Sequence, residues 1–199
     1  MKQNNVAYLI GIIGKIGSGK SLAGKYLRGK NHIVLDSDKI SRELTDGRDK
    51  AVISAISEAL NANITHTDGS MDRKAVAEIV FRDEQKRKAL ESIIHPAVWG
   101  KIKQEKECHS SVMFVELPLI PSEEYLPILN EIWLIEAGES VRLSRVISRD
   151  GLTEAQVLLR MQSQDTKDYH SLPFTRIIRN DGTIEEFYQK LDEAIKEVL

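Results

Sequence analysis

Residues 14–21, Gly14-Lys15-Ile16-Gly17-Ser18-Gly19-Lys20-Ser21, fit the spacing G-x-x-x-x-G-K-[ST] at every fixed position. No other stretch narrows the possible folds as much. The pattern has meaning only between a strand and a helix. Both flanks comply: Val6–Ile13 is an apolar run, and Ser21–Arg28 suits a helix. The glycines let the backbone curl so that successive N–H groups converge on one concavity, where an anion can sit. A helix starting there adds its own N–H groups and its positive dipole end. Lys20 then reaches the β- and γ-phosphates of a nucleotide, and the Ser21 hydroxyl can ligate Mg²⁺. Gly14, Lys15, Ile16, Gly17, Ser18, Gly19, Lys20 and Ser21 are therefore expected to bind the phosphates of a nucleotide such as ATP. A glycine-rich turn that binds nothing is the alternative, and the strand–loop–helix context disfavours it.

The chain of 199 residues is long enough for one sizeable core with insertions. A net charge of −2 gives no electrostatic reason to expect nucleic acid or anionic membrane as partner. No apolar run approaches 18 residues, so no membrane span is expected. Val6–Ile13 reads as a first strand rather than a signal-peptide core, because it runs into the glycine loop with no small-residue cleavage site. Cys108 is the single cysteine. It excludes an internal disulfide and suits a reducing, cytoplasmic setting. The oligomeric state is not readable.

After the loop, His32–Asp36 reads as a second strand ending in Asp36-Ser37-Asp38. Carboxylates at the carboxyl end of a parallel strand are placed to face a ligand. The alternative for Asp38 is a helix cap on Lys39–Leu44. Helices follow at Asp49–Leu60, from Asp72, from about Asp83 to His95, and at Ala97–Cys108, with Pro96 expected to break or kink the chain between the last two. His95 can touch a substrate or be structural. Ser111–Leu117 is an unbroken apolar strand ending in Glu116, which can orient a substrate group, hold Mg²⁺ through water, or sit idle at the rim. Glu131–Glu136 is the next strand. Arg142, Arg145 and Arg149 then share one helix face. Asp150-Gly151 ends that helix, and Thr153 with Gln156 opens another that carries Arg160. Such an arginine hairpin can close over a transferring phosphoryl group, or be an ordinary solvated face. A short strand holding Ile177-Ile178, a turn at Asn180-Asp181-Gly182, and a helix opened by Thr183 and Glu186 complete the chain.

Alternating strands and helices argue for an α/β fold on a mostly parallel sheet. We expect one domain: a core of about 1–60, 111–137 and 172–199, a helical insertion of about 61–110 that binds substrate, and a lid of about 138–171. Two insertions flanking a phosphate loop are the plan of a kinase that closes over a small acceptor.

Seven blocks, in order, carry a family resemblance: GIIGKIGSGKS, VLDSDKISREL, DGSMDRKAVAEIVF, LESIIHPAV, VELPL, RLSRVISRDGLTEAQVLLRMQSQ and IIRNDG. Over nearly its whole length the chain resembles the dephospho-CoA kinases. The resemblance implies a P-loop kinase with a five-stranded parallel sheet, a helical CoA-binding region and a lid. Its reaction would transfer the γ-phosphoryl group of ATP, with Mg²⁺, to the ribose 3′-hydroxyl of dephospho-CoA. It assigns Asp38 as the base, Asp36 as its support or the metal's, and Arg42, Arg73 and His95 to the substrate side. It makes Arg145 and Arg149 the lid arginines and places Asn180 along the adenine of ATP. The chain departs from the family pattern at Lys15, usually Gly, at Leu22, usually Thr or Ser, and at Arg142, commonly Gln. It departs also at Ile120–Glu123 and Asp165–His170. A kinase for another small acceptor, such as a nucleoside monophosphate, and a nucleotide-binding regulator without catalysis remain as alternatives.

Lys20→Ala is expected to impair both ATP binding and turnover, as judged by calorimetry and steady-state kinetics. Normal kinetics in that variant would contradict the phosphate-loop assignment.

Overall fold

The computed structural model describes residues 6–118, 121–165 and 173–199. Ile120 and residues 166–170, where the sequence departs from the family pattern, lie outside them. The chain divides into two compact units. One runs up to Leu35 and resumes over Cys108–Leu199; the other is Asp36–Glu107.

The first unit is built on five strands: β1 (Tyr8–Ile13), β2 (Ile33–Asp36), β3 (Val112–Glu116), β4 (Glu131–Glu136) and β5 (Arg176–Arg179). Their order is β2-β3-β1-β4-β5, and the β1–β3, β1–β4 and β4–β5 pairings are parallel. β1 sits in the middle because five of its six residues are apolar or glycine and can be buried on both faces of the pleat. α1 (Lys20–Gly29) and α8 (Ile184–Lys196) pack against one face. There Ala23 and Leu27 meet Ile10, Ile12, Phe114 and Trp133, and α8 adds Phe187, Leu191, Ala194 and Ile195. Thr183 and Glu186 form the expected capping box at the start of α8.

Between β4 and β5 lies a helical hairpin, α6 (Glu139–Asp150) and α7 (Glu154–Asp165). Gly151, at φ +65°, ends α6 in the left-handed conformation that favours glycine. Thr153 and Gln156 exchange hydrogen bonds to open α7. Val146, Val157 and Met161 make a small apolar core that also takes in Ile16 of the glycine loop.

The second unit is helical: α2 (Ser37–Leu44), α3 (Lys50–Leu60), α4 (Arg73–Arg82) and α5 (Glu84–Cys108). Each starts on an aspartate whose carboxylate accepts first-turn N–H groups: Asp36 from Lys39, Asp49 from Val52, Asp72 from Lys74 and Ala75, and Asp83 from Gln85 and Lys86. Its core is Ile56, Leu60, Ile64, Met71 and Val76, with Ile79, Leu90, Ile93 and Ile94 packed around it.

One alternative and one expectation give way. The cap of α2 is Asp36, so Asp38 lies inside the first turn and is exposed. Pro96 does not divide the chain: α5 is one helix of 25 residues with the proline inside it. A proline costs its helix one N–H donor and crowds the carbonyl four residues back, here that of Ser92. The apolar positions on either side, Ile93, Ile94, Val98, Trp99 and Ile102, evidently outweigh that cost by burial. The helical unit begins at Asp36 and takes in α2 and α3.

Pro96→Ala is therefore expected to stabilise the protein by about 1–3 kcal/mol in urea unfolding, because alanine restores the missing donor without altering the helix.

Candidate active site

The glycine loop joins β1 to α1 at the centre of the sheet. Gly19 is the N-cap of α1, at φ +106°, and no side chain caps that helix. The start of a helix directs its first-turn N–H groups and positive dipole end toward the loop, where an anion is favoured. A Cβ at Gly19 would stand 2.2 Å from Asn180 Nδ2, and one at Gly17, φ +79°, would stand 2.6 Å from the Arg142 carbonyl oxygen. The loop is therefore gripped from two sides, by the start of α6 and by the residue after β5. Ser21 is exposed near the start of α1, and the Lys20 ammonium donates to the Gly14 carbonyl.

Asn180 joins these parts. Its backbone N–H donates to Glu136 at 2.7 Å, continuing the β4–β5 pairing. Its side-chain Nδ2 donates to the Ser18 carbonyl at 2.8 Å. Arg145 donates to the Asn180 carbonyl at 2.9 Å and to its Oδ1 at 3.3 Å. Asp181 accepts from the N–H of Gly138 at 2.6 Å, just ahead of α6. From sequence Asn180-Asp181-Gly182 is a turn; its two polar side chains cross to the loop and to the residue ahead of α6.

Arg142, Arg145 and Arg149 do lie along one face of α6, but their surroundings grade along the helix. Arg142 is 6% exposed, Arg145 is half-buried and Arg149 is exposed. Arg149 grips Asp150 through Nε and Nη2, at 2.7 and 3.0 Å, and Arg160 approaches the same carboxylate at 3.6 Å. The hydrogen bonds from Arg149 hold the Asp150 carboxyl below the usual carboxylate range and push the guanidinium up. Arg142 Nη1 and Ser18 Oγ are both buried, with no hydrogen-bond partner among the described residues. Both residues line a cavity of about 130 Å³ that Lys15, Glu136 and Ala137 share. Two positions where the chain departs from the family pattern, Lys15 and Arg142, thus meet at one place.

Glu116 ends β3 with Oε1 at 3.0 Å from Arg28 Nη2 on α1. The same oxygen lies so near Gly24 that a Cβ there would be 1.9 Å away.

In the helical unit, Arg73 Nη2 donates to the Arg42 carbonyl at 3.1 Å and to the Thr45 hydroxyl, closing the C-terminus of α2. The Arg42 and Arg73 side chains are exposed, as are Asp38 and His95. Asp36 is half-buried and occupied as a cap. Among the described residues no group of three His, Cys, Asp or Glu side chains is placed to hold a metal.

A family model for dephospho-CoA kinase matches residues 8–186. The chain belongs to the dephospho-CoA kinase family. A dephospho-CoA kinase of Shouchella clausii is 32% identical over 190 residues, covering 94% of this chain and 96% of the relative. The crystal structure of TT1252 from Thermus thermophilus, 29% identical, superposes with a TM-score of 0.77 over 98% of this chain and 99% of that one. The dephospho-CoA kinase of Campylobacter jejuni, at 24% identity and a TM-score of 0.64, shares the fold over 96% of this chain and 97% of its own.

A buried guanidinium nitrogen without a hydrogen-bond partner, as at Arg142 Nη1, is costly. Arg142→Gln is expected to raise the melting temperature, by the equivalent of about 1–3 kcal/mol. A fall would mean that Arg142 has a partner in solution.

Proposed function

We infer that the chain transfers the γ-phosphoryl group of ATP to the ribose 3′-hydroxyl of dephospho-CoA, the last step of coenzyme A synthesis. The observation that carries this reading is a glycine loop with an uncapped helix and an arginine at its rim, in a chain that belongs to the dephospho-CoA kinase family from residue 8 to residue 186.

Phosphoryl transfer proceeds through a loose transition state, so the protein's task is to position the reactants and neutralise charge. The backbone from Gly14 to Ser21 and the dipole of α1 bind the phosphates. Lys20 exchanges the Gly14 carbonyl for a phosphate oxygen. Arg145 and Arg149 stabilise the charge that spreads over the transferring group, and their hairpin excludes water from it. The segment around Asn180 lines the adenine. Asp38, exposed in the first turn of α2, takes the proton of the 3′-hydroxyl, while Asp36 serves as the helix cap. Arg42, Arg73 and His95 bind the acceptor. Glu116, paired with Arg28, orients it. Magnesium belongs to this reading as the companion of ATP: the Ser21 hydroxyl, a hard oxygen donor exposed beside the loop, suits it as a ligand, and when bound it offsets phosphate charge. A cytoplasmic setting and soluble partners, without nucleic acid or membrane, complete the reading.

The test is ADP release with Mg-ATP and a panel of dephospho-CoA, adenosine, AMP and CMP. Turnover confined to dephospho-CoA is expected; turnover only with a nucleoside monophosphate would overturn the acceptor. Asp38→Asn should lower kcat by about 100-fold or more and leave ATP binding nearly intact. Unchanged turnover would remove Asp38 as the base.

A further inference from the structure

Asn180 is buried, 2% exposed, and every polar group it owns is spent on protein rather than turned toward a ligand. Its N–H continues the sheet, its side-chain amide donates to the Ser18 carbonyl, and its two oxygens accept from Arg145. The Ser18 contact spans 162 residues of sequence and reaches the loop at Gly19, the one residue whose lack of Cβ admits it. A family position expected along the adenine is therefore occupied by a side chain aimed at the phosphate loop and the lid helix.

We propose that Asn180 is a positioning residue that fixes the phosphate loop and Arg145 as one unit, so that the grip on the triphosphate is set from the end of β5. The proposal rests on the reading of Gly14–Ser21 as the triphosphate site. Ser18 is the residue before the N-cap of α1. Holding its carbonyl fixes the peptide plane that carries the Gly19 N–H, one of the donors around the concavity. Holding Arg145 on the same residue sets where its guanidinium starts from. Loss of the amide frees both at once, which is a different defect from loss of a contact to the base.

The experiment compares two ligands and four variants, three single and one double, with binding by calorimetry in the presence of Mg²⁺. ATP carries a base; inorganic tripolyphosphate carries none. Asn180→Asp keeps the volume and both acceptors for Arg145 but sets a carboxylate oxygen against the Ser18 carbonyl. Asn180→Ala removes the side chain, and Arg145→Met removes the other partner. Both Asn180 variants are expected to weaken ATP and tripolyphosphate together, by about tenfold, the equivalent of one lost buried hydrogen bond. Arg145→Met is expected to cost clearly less affinity in the Asn180→Ala background than alone, since coupled residues are not additive. If Asn180→Ala does not fold, Asn180→Asp reads the same quantity. Weaker ATP binding with tripolyphosphate unchanged would assign Asn180 to the base and overturn the proposal. So would additive losses, or unchanged binding of both ligands. Wild-type protein that binds neither ligand overturns the phosphate-loop reading and this proposal with it. None of these outcomes depends on which acceptor is phosphorylated.

Discussion

Around residues 17–19 the backbone of α6 and the side-chain amide of Asn180 come closer to the loop than any Cβ there would permit. The start of α6 presses on Gly17 and the end of β5 presses on Gly19. A methyl group at either place would collide with backbone or with a buried amide. The nucleotide end of the sheet depends on this constraint. It places α1 with its N–H groups directed out of the fold, and it brings the arginine helix to the loop through packing as well as charge. Ile16 packs against the apolar core of the α6–α7 hairpin, so the loop and the hairpin share a hydrophobic contact beside the hydrogen-bonded link that runs through Asn180.

In the proposed reaction the two arginines would differ in what they give up to reach a phosphate. Arg145 is held by the carbonyl and amide oxygens of Asn180, both neutral. Exchanging such partners for a charged oxygen is favourable, because charge-assisted hydrogen bonds are the stronger kind. Arg149 instead holds a carboxylate and must break an ion pair. That pair is solvent-exposed, where ion pairs stabilise by about 0–1 kcal/mol. Asp150 therefore restrains Arg149 without locking it.

Much of this organisation was legible in the residues. β1, β3 and β4 announced themselves as apolar runs, and the helix starts as aspartates or Thr-x-x-Glu pairs, because these signals are local. Three features were not. Whether Asp36 or Asp38 caps α2 depends on where the strand ends, to within a residue or two, and two nearby carboxylates make that ambiguous. The continuity of α5 through Pro96 depends on tertiary burial, which overrides a local penalty. The role of Asn180 arises from a contact 162 residues away, and a turn signature such as Asn-Asp-Gly carries no trace of it. In the candidate site the phosphate loop was readable because its glycines answer to local geometry. The different surroundings of the three α6 arginines were not, since regular spacing says which face a residue is on and nothing of how deeply each end of that face is buried.

The strand order has a consequence for how the molecule comes to exist. β1 is made first, yet its neighbours are β3, beginning at Val112, and β4, beginning at Glu131. At typical translation speeds the apolar segment Leu9–Ile13 therefore waits on the order of ten seconds for a partner. Asn180, which reaches back to Ser18, arrives later still. Pairings of such separation are slow to form and exposed to misassociation. A nascent chain thus carries the whole glycine loop long before it has the architecture that shapes it. Affinity for nucleotide belongs to the finished chain, and ribosome-bound intermediates would have to be kept apart by chaperones or by haste.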